Sequence, residues 1–356
     1  MLGSIFLYVA LFAECAYLAK RADDTKKIRY VWLIVAILSI LAGIRGSGVG
    51  IDTAKYMESF GHIARGNTHL VYGTEHTFVE IVQIFQLVSK SPVFLFLVFA
   101  FITNGLILFR IWEFREKISF MWAFAYFYAC FYFFSFNIVR QMVAVAIVFW
   151  GTRFAQKEKY IPFFACVAAG FCFHQSALLG VLYLGVDFLQ KEKWSRHKVL
   201  FTAFLCAAIM GGSFVLLKIS KYLHYFRNIK MDIGFLVPLK LTFLAIYVVL
   251  LKQISGSWFG EKVDGQFEYM NTFVVVYYGI GLCVTLLGYF FTFMDRIGLY
   301  FTLCGCIFMG HIAKRTRQPV MVRIIFAVVI GMPFVIDLLS GGQGQLPYRF
   351  FWQDRI

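Results

Sequence analysis

Charged residues are scarce in this chain, at 15% of its 356 residues. No polar stretch between its apolar runs is long enough for a soluble domain, which needs at least about 50 residues. Hydrophobic residues make up 60% of the chain, and its mean hydropathy is +0.74. A soluble protein of this length does not bury so much apolar surface in its own core. The sequence therefore predicts an integral membrane protein.

Paired cysteines are also missing. The eight cysteines all fall inside apolar runs, and none forms a CxxC motif or a cluster with histidines. His62, His69 and His76 recur at a regular spacing, but glycines between them interrupt any helix that would bring them together. The sequence therefore predicts neither a disulfide framework nor a metal site.

Acidic residues are fewer than basic ones, 19 against 34, which leaves a net charge of +15. The cations are scattered among short loops, so they do not form a nucleic-acid-binding patch. Orientation in the membrane and attraction to anionic lipid headgroups explain most of them. The first apolar run contains Glu14, and no basic segment precedes it, so we expect a retained helix rather than a cleaved signal peptide.

Apolar runs that can cross a hydrocarbon core of ~30 Å follow one another along the whole chain. They predict an all-α polytopic membrane protein with about 12 transmembrane helices in a single domain, 1–356. The runs lie near 2–19, 28–44, 92–112, 118–136, 138–155, 160–173, 175–189, 198–217, 235–251, 270–292, 297–313 and 320–340.

One further apolar segment, 77–90, is short and carries Glu80, Gln83 and Gln86. We expect it to be re-entrant or interfacial, because most lysines and arginines then fall on one side of the membrane, as in cytoplasmic loops. Both termini, a loop at 45–76 and a segment at 218–234 are external in this arrangement. The same face receives the polar residues that orientation explains least, and these predict one polar chamber. They are Arg45, Asp52, Arg65, Glu75, Arg140, His174, Arg227 and Arg296.

The stretch AGIRGSGVGIDTAKY, 42–56, places four glycines around Arg45 at the end of an apolar run. Free backbone N–H groups of such a loop, together with the arginine, are suited to an anion. A helix end followed by a flexible loop is the alternative. Asp52 either pairs with Arg45 or accepts a proton.

A second polar group opens the run FNIVRQMVAVAI, 136–147. Asn137, Arg140 and Gln141 are spaced to form one cluster at the mouth of a helix. An arginine between two amides suits a phosphate or a sugar, and an arginine that extends to the lipid headgroups is the alternative.

A third group, CFHQSAL at 172–178, joins two short apolar runs and is therefore expected to be recessed. His174 in such a recess can exchange a proton or donate to a phosphate, although a structural histidine is the alternative. Arg296 follows Asp295 in a short turn, where it is either part of the same site or a loop charge.

The order of these motifs resembles the EpsG family of exopolysaccharide proteins, which is close to the Wzy-type repeat-unit polymerases. The motifs are GIRxxxVGxDxxxY from Gly43, GTEHTF from Gly73, NxxRQxxAxA from Asn137, FHxSA from Phe173 and RxxxYF from Arg296. The resemblance implies a glycosyltransferase of the bacterial cytoplasmic (inner) membrane, with an active site that faces the periplasm or the outside. It would transfer a growing glycan from an undecaprenyl diphosphate carrier to a carrier-linked repeat unit of an O-antigen, capsule or exopolysaccharide.

Roles for individual residues follow from this reaction. Arg45, Arg140 and Arg296 are expected to bind the diphosphate, and His174, Asp52 or Glu75 to take the acceptor proton. Substrate binding is expected at Tyr56, Asn137, Gln141 and Ser176. No DxD pair occurs in an external loop, so we expect metal-independent catalysis without a cofactor.

The expected partners are lipid-linked oligosaccharides, membrane lipids, a chain-length regulator and a flippase, and no nucleic acid. A lipid-linked oligosaccharide flippase or polysaccharide transporter is the main alternative function, because it needs arginines for the same anion. Paired halves with matching broken helices, typical of transporters, are not evident. An O-antigen ligase-like transferase is a third reading, but its usual large external loop is missing.

Overall fold

The computed structural model describes residues 1–71, 73–184, 277–285, 294–315 and 319–354. These residues form helices and no strand, apart from one isolated antiparallel bridge between Arg45 and Phe350. Short 3-10 helices occur at Thr68–Leu70, Gln175–Val181 and Phe351–Gln353, a π-helix covers Tyr128–Tyr132, and 277–285 is helical. The α-helices are α1 (Leu2–Thr25), α2 (Arg29–Gly43), α3 (Thr53–Ala64), α4 (His76–Gln86), α5 (Pro92–Trp112), α6 (Phe120–Phe127), α7 (Phe134–Asn137), α8 (Val139–Ala155), α9 (Tyr160–Phe173), α10 (Met294–Thr302), α11 (Gly305–Arg315) and α12 (Pro319–Ser340).

Two helices of the described part, α1 and α5, are long and apolar enough to cross a membrane. A third span is present if α10 and α11, which meet at a bend of 43°, count as one. The all-helical fold is thus confirmed for the described residues, and the number of about 12 spans remains a prediction. The runs 198–217 and 235–251 and the external segment 218–234 lie outside the described residues.

Helix α4 covers the segment that was expected not to cross. It has 11 residues and is about 16 Å long, which is shorter than a ~30 Å hydrocarbon core. Phe78, Val79 and Val82 are buried on one side of it, whereas Glu80 is exposed. This length and this one-sided burial agree with an interfacial helix.

Helix α5 packs against α2 and against α8. Asn104 of α5 donates to the Ser39 hydroxyl of α2 over 3.1 Å, and this buried hydrogen bond links the two helices in the apolar core. The 3-10 helix Gln175–Val181 folds back against α9, because Gly170 of α9 leaves room for Ala177. This hairpin sets His174 at its tip.

The helix ends that were expected on one side of the membrane lie together in the structure. Lys26, after α1, donates to the carbonyl of Arg115, after α5. Arg110 near the end of α5 pairs with Glu113 and donates to Gln156 after α8. We call this end of the bundle the basic end.

A segment at 341–354 closes the other end. Tyr8 of α1 donates to the Gln345 carbonyl over 3.0 Å, and Tyr348 donates to the Leu41 carbonyl over 2.7 Å. The Phe351 amide donates to the Ile44 carbonyl over 2.9 Å. This closing segment therefore joins α1, α2 and the glycine-rich loop.

Asp23, near the end of α1, caps the beginning of α6. Its carboxylate accepts hydrogen bonds from the Phe120 amide at 2.8 Å, the Ser119 hydroxyl at 2.9 Å and the Met121 amide at 3.0 Å. An anion at a helix N-terminus satisfies amides that have no partner within the helix. One side chain thus fixes the contact between α1 and α6.

We expect Asp23→Ala to lower the free energy of unfolding by about 1–2 kcal/mol, the usual cost of a lost helix cap. Thermal unfolding of the detergent-solubilised protein, followed by circular dichroism, measures the change. Asp24→Ala is the matched control, because Asp24 is adjacent and exposed. Equal melting temperatures for the two variants would show that the cap contributes nothing.

Candidate functional site

The backbone amides of the glycine-rich loop are directed to acceptors within the protein. The Gly46 amide donates to the Arg349 carbonyl over 2.8 Å. The Ser47 amide donates to the Asp354 carboxylate over 2.6 Å. The loop was expected to hold an anion, and the anion that it contacts in the structure is a carboxylate of the closing segment.

Gly50 fixes the conformation of this loop. Its φ is +90°, a region that side chains other than glycine rarely adopt. A Cβ atom there would lie 2.8 Å from the Thr53 hydroxyl and 3.0 Å from the Asn137 amide oxygen. A glycine is therefore required by both the backbone conformation and the close contact with α7.

Arg45 lies inside the bundle, with 1% of its surface exposed. Its guanidinium donates to the Thr53 hydroxyl over 3.1 Å, to the Phe136 carbonyl over 3.2 Å and to the Ala42 carbonyl. The Phe96 ring lies 4.1 Å from its central carbon. Burial lowers the pKa of Arg45 to about 10, so the side chain is charged at neutral pH. In this conformation Arg45 connects α2, α3 and α7.

Asp52 and Asn137 are the other polar residues that the sequence predicted for this part of the site. Asp52 precedes α3 and is half-buried, and it is not among the hydrogen-bond partners of Arg45. Asn137 is buried, accepts from the Ile51 amide at 2.6 Å and donates to the Gln343 carbonyl at 2.9 Å. Asn137 therefore links the glycine-rich loop to the closing segment.

Arg140, in the first turn of α8, forms an ion pair with Glu75, just before α4. Both side chains are largely shielded, with 16% and 14% of their surface exposed. The second oxygen of Glu75 accepts from the Gln175 amide at 3.3 Å. Arg140 also lies over the Phe78 ring, and its buried Nε–H has no acceptor among the described residues. This pair joins α4, α8 and the tip of the α9 hairpin.

His174 lies at that tip and is held by Ser176. The His174 Nδ1 atom accepts from the Ser176 amide at 3.2 Å and lies 2.6 Å from the Ser176 hydroxyl. Ser176 in turn is 2.9 Å from the Tyr300 hydroxyl of α10. Because Nδ1 accepts from a backbone amide, the neutral ring carries its proton on Nε2.

Charged residues from three separate motifs lie around His174. Burial lowers the pKa of His174 to about 4, while Glu75 acts to raise it and Arg140 and Arg296 to lower it. The imidazole is therefore neutral at neutral pH. It presents an Nε2–H donor rather than a positive charge.

Arg296 is held near this group through its backbone. Gln141 of α8 donates to the Arg296 carbonyl over 2.9 Å, and the Arg296 side chain is exposed. Tyr56 of α3 is half-buried, and Arg140 acts to lower its pKa while burial raises it more. The structure thus gathers Glu75, Arg140, His174 and Arg296, which we call the arginine cluster.

Two parts of this end of the protein were missed from the sequence. Tyr300, which contacts Ser176, belongs to the RxxxYF motif, so its position four residues after Arg296 was a usable signal. The closing segment carries no such signal.

In the described part of the chain, no three His, Cys, Asp or Glu side chains are grouped as metal ligands.

Comparison with known proteins bears on what this cluster does. The curated proteins and the solved structures give no match. The family model described as the EpsG family matches residues 28–350, which is nearly the whole chain and includes the entire arginine cluster. The chain therefore belongs to the EpsG family, a family related to the Wzy-like polysaccharide polymerases.

Proposed function

We propose that this protein is a membrane glycosyltransferase that polymerises undecaprenyl-diphosphate-linked oligosaccharide repeat units. The observation that carries the proposal is the shielded Arg140–Glu75 pair beside His174 and Arg296, in a chain of the EpsG family. Transfer from a lipid-linked donor needs cations that bind the diphosphate and a base that takes the proton of the acceptor hydroxyl. The arginine cluster has both, two arginines and a glutamate. It acts at the periplasmic or external face of a bacterial cytoplasmic membrane.

The ion pair supports a specific order of events. Glu75 occupies Arg140 while the site is empty, and a diphosphate carries more negative charge than one carboxylate. The unpaired Nε–H of Arg140 adds a donor, so the guanidinium is suited to a ligand with several acceptor oxygens. The diphosphate therefore displaces Glu75 from Arg140. Arg296, exposed beside the pair, supplies the second cation.

His174 acts as a hydrogen-bond donor in this scheme. Its Nδ1 atom is engaged by Ser176, and its pKa of about 4 makes it a poor acceptor for the proton of a sugar hydroxyl. A neutral imidazole that presents Nε2–H instead stabilises the negative charge that develops on the leaving diphosphate. Tyr300 positions Ser176, and through it His174.

The transfer step moves the glycan from the diphosphate to the acceptor hydroxyl. The bond between the anomeric carbon and the diphosphate oxygen breaks, and both electrons go to the diphosphate. The oxygen of the acceptor hydroxyl forms the new bond to the anomeric carbon. Its proton goes to the carboxylate of Glu75 released from Arg140, with Asp52 as the other available carboxylate.

Arg45 has a different part in this proposal from the one its motif predicts. With 1% of its surface exposed, its guanidinium donates its hydrogen bonds to protein oxygens, so direct binding of the diphosphate requires the glycine-rich loop to open. We assign Arg45 and Asn137 to positioning the start of α8, and Tyr56, Gln141 and Ser176 to the wall of the site. A flippase and a chain-length regulator are the partners that this function implies.

Arg140→Ala should abolish polymer formation, with a loss of at least about a hundredfold in rate, because it removes the main diphosphate contact. The measurement is the ladder of products formed by purified protein from one lipid-linked repeat unit. Arg153→Ala is the control: Arg153 lies on the same helix and also pairs with a glutamate, Glu113, at 2.9 Å. A wild-type ladder from Arg140→Ala would contradict the diphosphate role of Arg140, whereas translocation of the lipid by the wild-type protein without any ladder would contradict a polymerase.

Glu75→Gln separates the role of Glu75 as the partner of Arg140 from its role as the base. It removes the competing carboxylate, so the KM for the lipid-linked donor should not rise, whereas kcat should fall about a hundredfold if Glu75 is the base. Steady-state kinetics with the same substrate measures both constants. An unchanged kcat would transfer the role of base to Asp52, which Asp52→Asn then tests.

His174 is tested by two substitutions of different chemistry. Glutamine places an N–H group close to the position of Nε2, so His174→Gln should retain most activity, whereas His174→Ala should lose about a hundredfold. Since its pKa lies near 4, the wild-type rate should show no step near pH 6.5 that His174→Gln removes. Equal losses in the two variants would point to a base instead.

The orientation of the site is tested by single cysteines in a cysteine-free background. Lys55 in α3 and Lys27 before α2 are both exposed and lie at opposite ends of the bundle. A maleimide that cannot cross membranes should label Lys55→Cys in intact spheroplasts and label Lys27→Cys only after lysis. The reverse pattern would place the arginine cluster in the cytoplasm.

A further inference from the structure

A crevice of about 560 Å³ lies at the basic end, away from the arginine cluster. Its walls include Trp32 of α2, Phe109 and Trp112 of α5, and Trp150 of α8. Lys26 and Arg115 stand at the same crevice, after the ends of α1 and α5. Both of these helices are long and apolar enough to cross a membrane, so the crevice lies where both reach the same membrane face.

The charge at this crevice is positive. Glu113, the carboxylate that lines it, is bound on both sides, to Arg110 at 2.5 Å and to Arg153 at 2.9 Å. It is therefore not available to neutralise Lys26. The Lys26 ammonium donates to the Arg115 carbonyl over 3.2 Å, which leaves two further N–H donors on an exposed side chain. The Arg115 guanidinium is 38% exposed, lies over the Trp112 ring and has the Glu116 carboxylate 3.6 Å from its Nε atom, an exposed pair that contributes little.

The walls of the crevice are apolar and aromatic. Trp32 is 48% exposed and packs against Phe109, with 4.4 Å between the ring centroids. Aromatic rings at the level of the headgroups are suited to contact with the upper part of an acyl chain. The crevice thus offers apolar walls of aromatic rings for a chain, next to two cations for a phosphate.

We propose that this crevice binds one anionic phospholipid, with its headgroup phosphate between Lys26 and Arg115 and the start of an acyl chain against Trp32 and Phe109. The cations select phosphate, and the aromatic walls select a lipid over a free phosphate ion. Helices α2, α5 and α8 connect the crevice to the end that carries the arginine cluster. The proposal does not depend on the reaction catalysed there.

Native mass spectrometry of the purified full-length protein tests this site. The probes are phosphatidylglycerol, phosphatidylcholine and inorganic phosphate, each titrated separately. We expect phosphatidylglycerol to bind more tightly than phosphatidylcholine, and Lys26→Gln and Arg115→Gln each to weaken it about fivefold. Lys90→Gln is the matched control, because Lys90 is exposed just before the other end of α5. Both crevice variants replace exposed or partly exposed side chains, and their melting temperatures should equal that of the wild type.

Three outcomes would overturn the proposal. Equal retention of phosphatidylglycerol and phosphatidylcholine would mean that the residues form an ordinary interfacial belt. Displacement of phosphatidylglycerol by inorganic phosphate at similar concentrations would mean an ion site without a lipid. Unchanged binding in both crevice variants would place the lipid elsewhere. None of these results depends on polymer formation, so they are independent of the proposed enzyme function.

Discussion

The guanidinium of Arg45 is a buried positive charge around which one end of the protein is arranged. Moving such a charge out of water is costly unless polar groups replace the water. Here the Ala42 and Phe136 carbonyls and the Thr53 hydroxyl replace it, and two phenylalanine rings lie against its faces. These acceptors belong to the end of α2, the end of α7 and the start of α3. The charge therefore holds three elements in one geometry, and α8 begins from that geometry with Arg140 in its first turn.

Helix α8 connects the two ends of the bundle. Arg140 in its first turn and Arg153 in its last are 13 positions apart, about 20 Å along the helix. Each pairs with a glutamate, yet the pairs differ in their surroundings. Arg153 and Arg110 share Glu113, so that carboxylate has more than enough positive charge. Among the described residues, Glu75 is the one carboxylate paired with Arg140, and the Arg140 Nε–H has no acceptor. The pair whose arginine keeps an unused donor lies beside a histidine and a second arginine. A site that exchanges ligands requires such a donor.

The helical class could be predicted from the long uninterrupted apolar runs, because such a run in lipid satisfies its backbone hydrogen bonds within a helix. The common location of Glu75, Arg140, His174 and Arg296 also followed from the sequence, since the distribution of lysine and arginine placed these residues on one face. The role of the glycine amides did not. Gly46 and Ser47 donate to acceptors about 300 residues away, and no local pattern indicates such partners. The burial of Arg45 could not be predicted either. A glycine-rich loop suggests that its arginine is accessible to a ligand, and no local pattern shows that a distant segment covers the loop.

The closing segment has a consequence for the biosynthesis of the protein. Asp354 is 307 positions from Ser47, and Gln343 is 206 positions from Asn137. Helices α1 to α8 leave the ribosome long before these partners exist. Until they arrive, the loop around Arg45 lacks its hydrogen bonds to the closing segment. The wall of the site is therefore completed only when residue 354 has been made, and a nascent chain inserted up to α11 has the arginine cluster but an unfinished loop beside it.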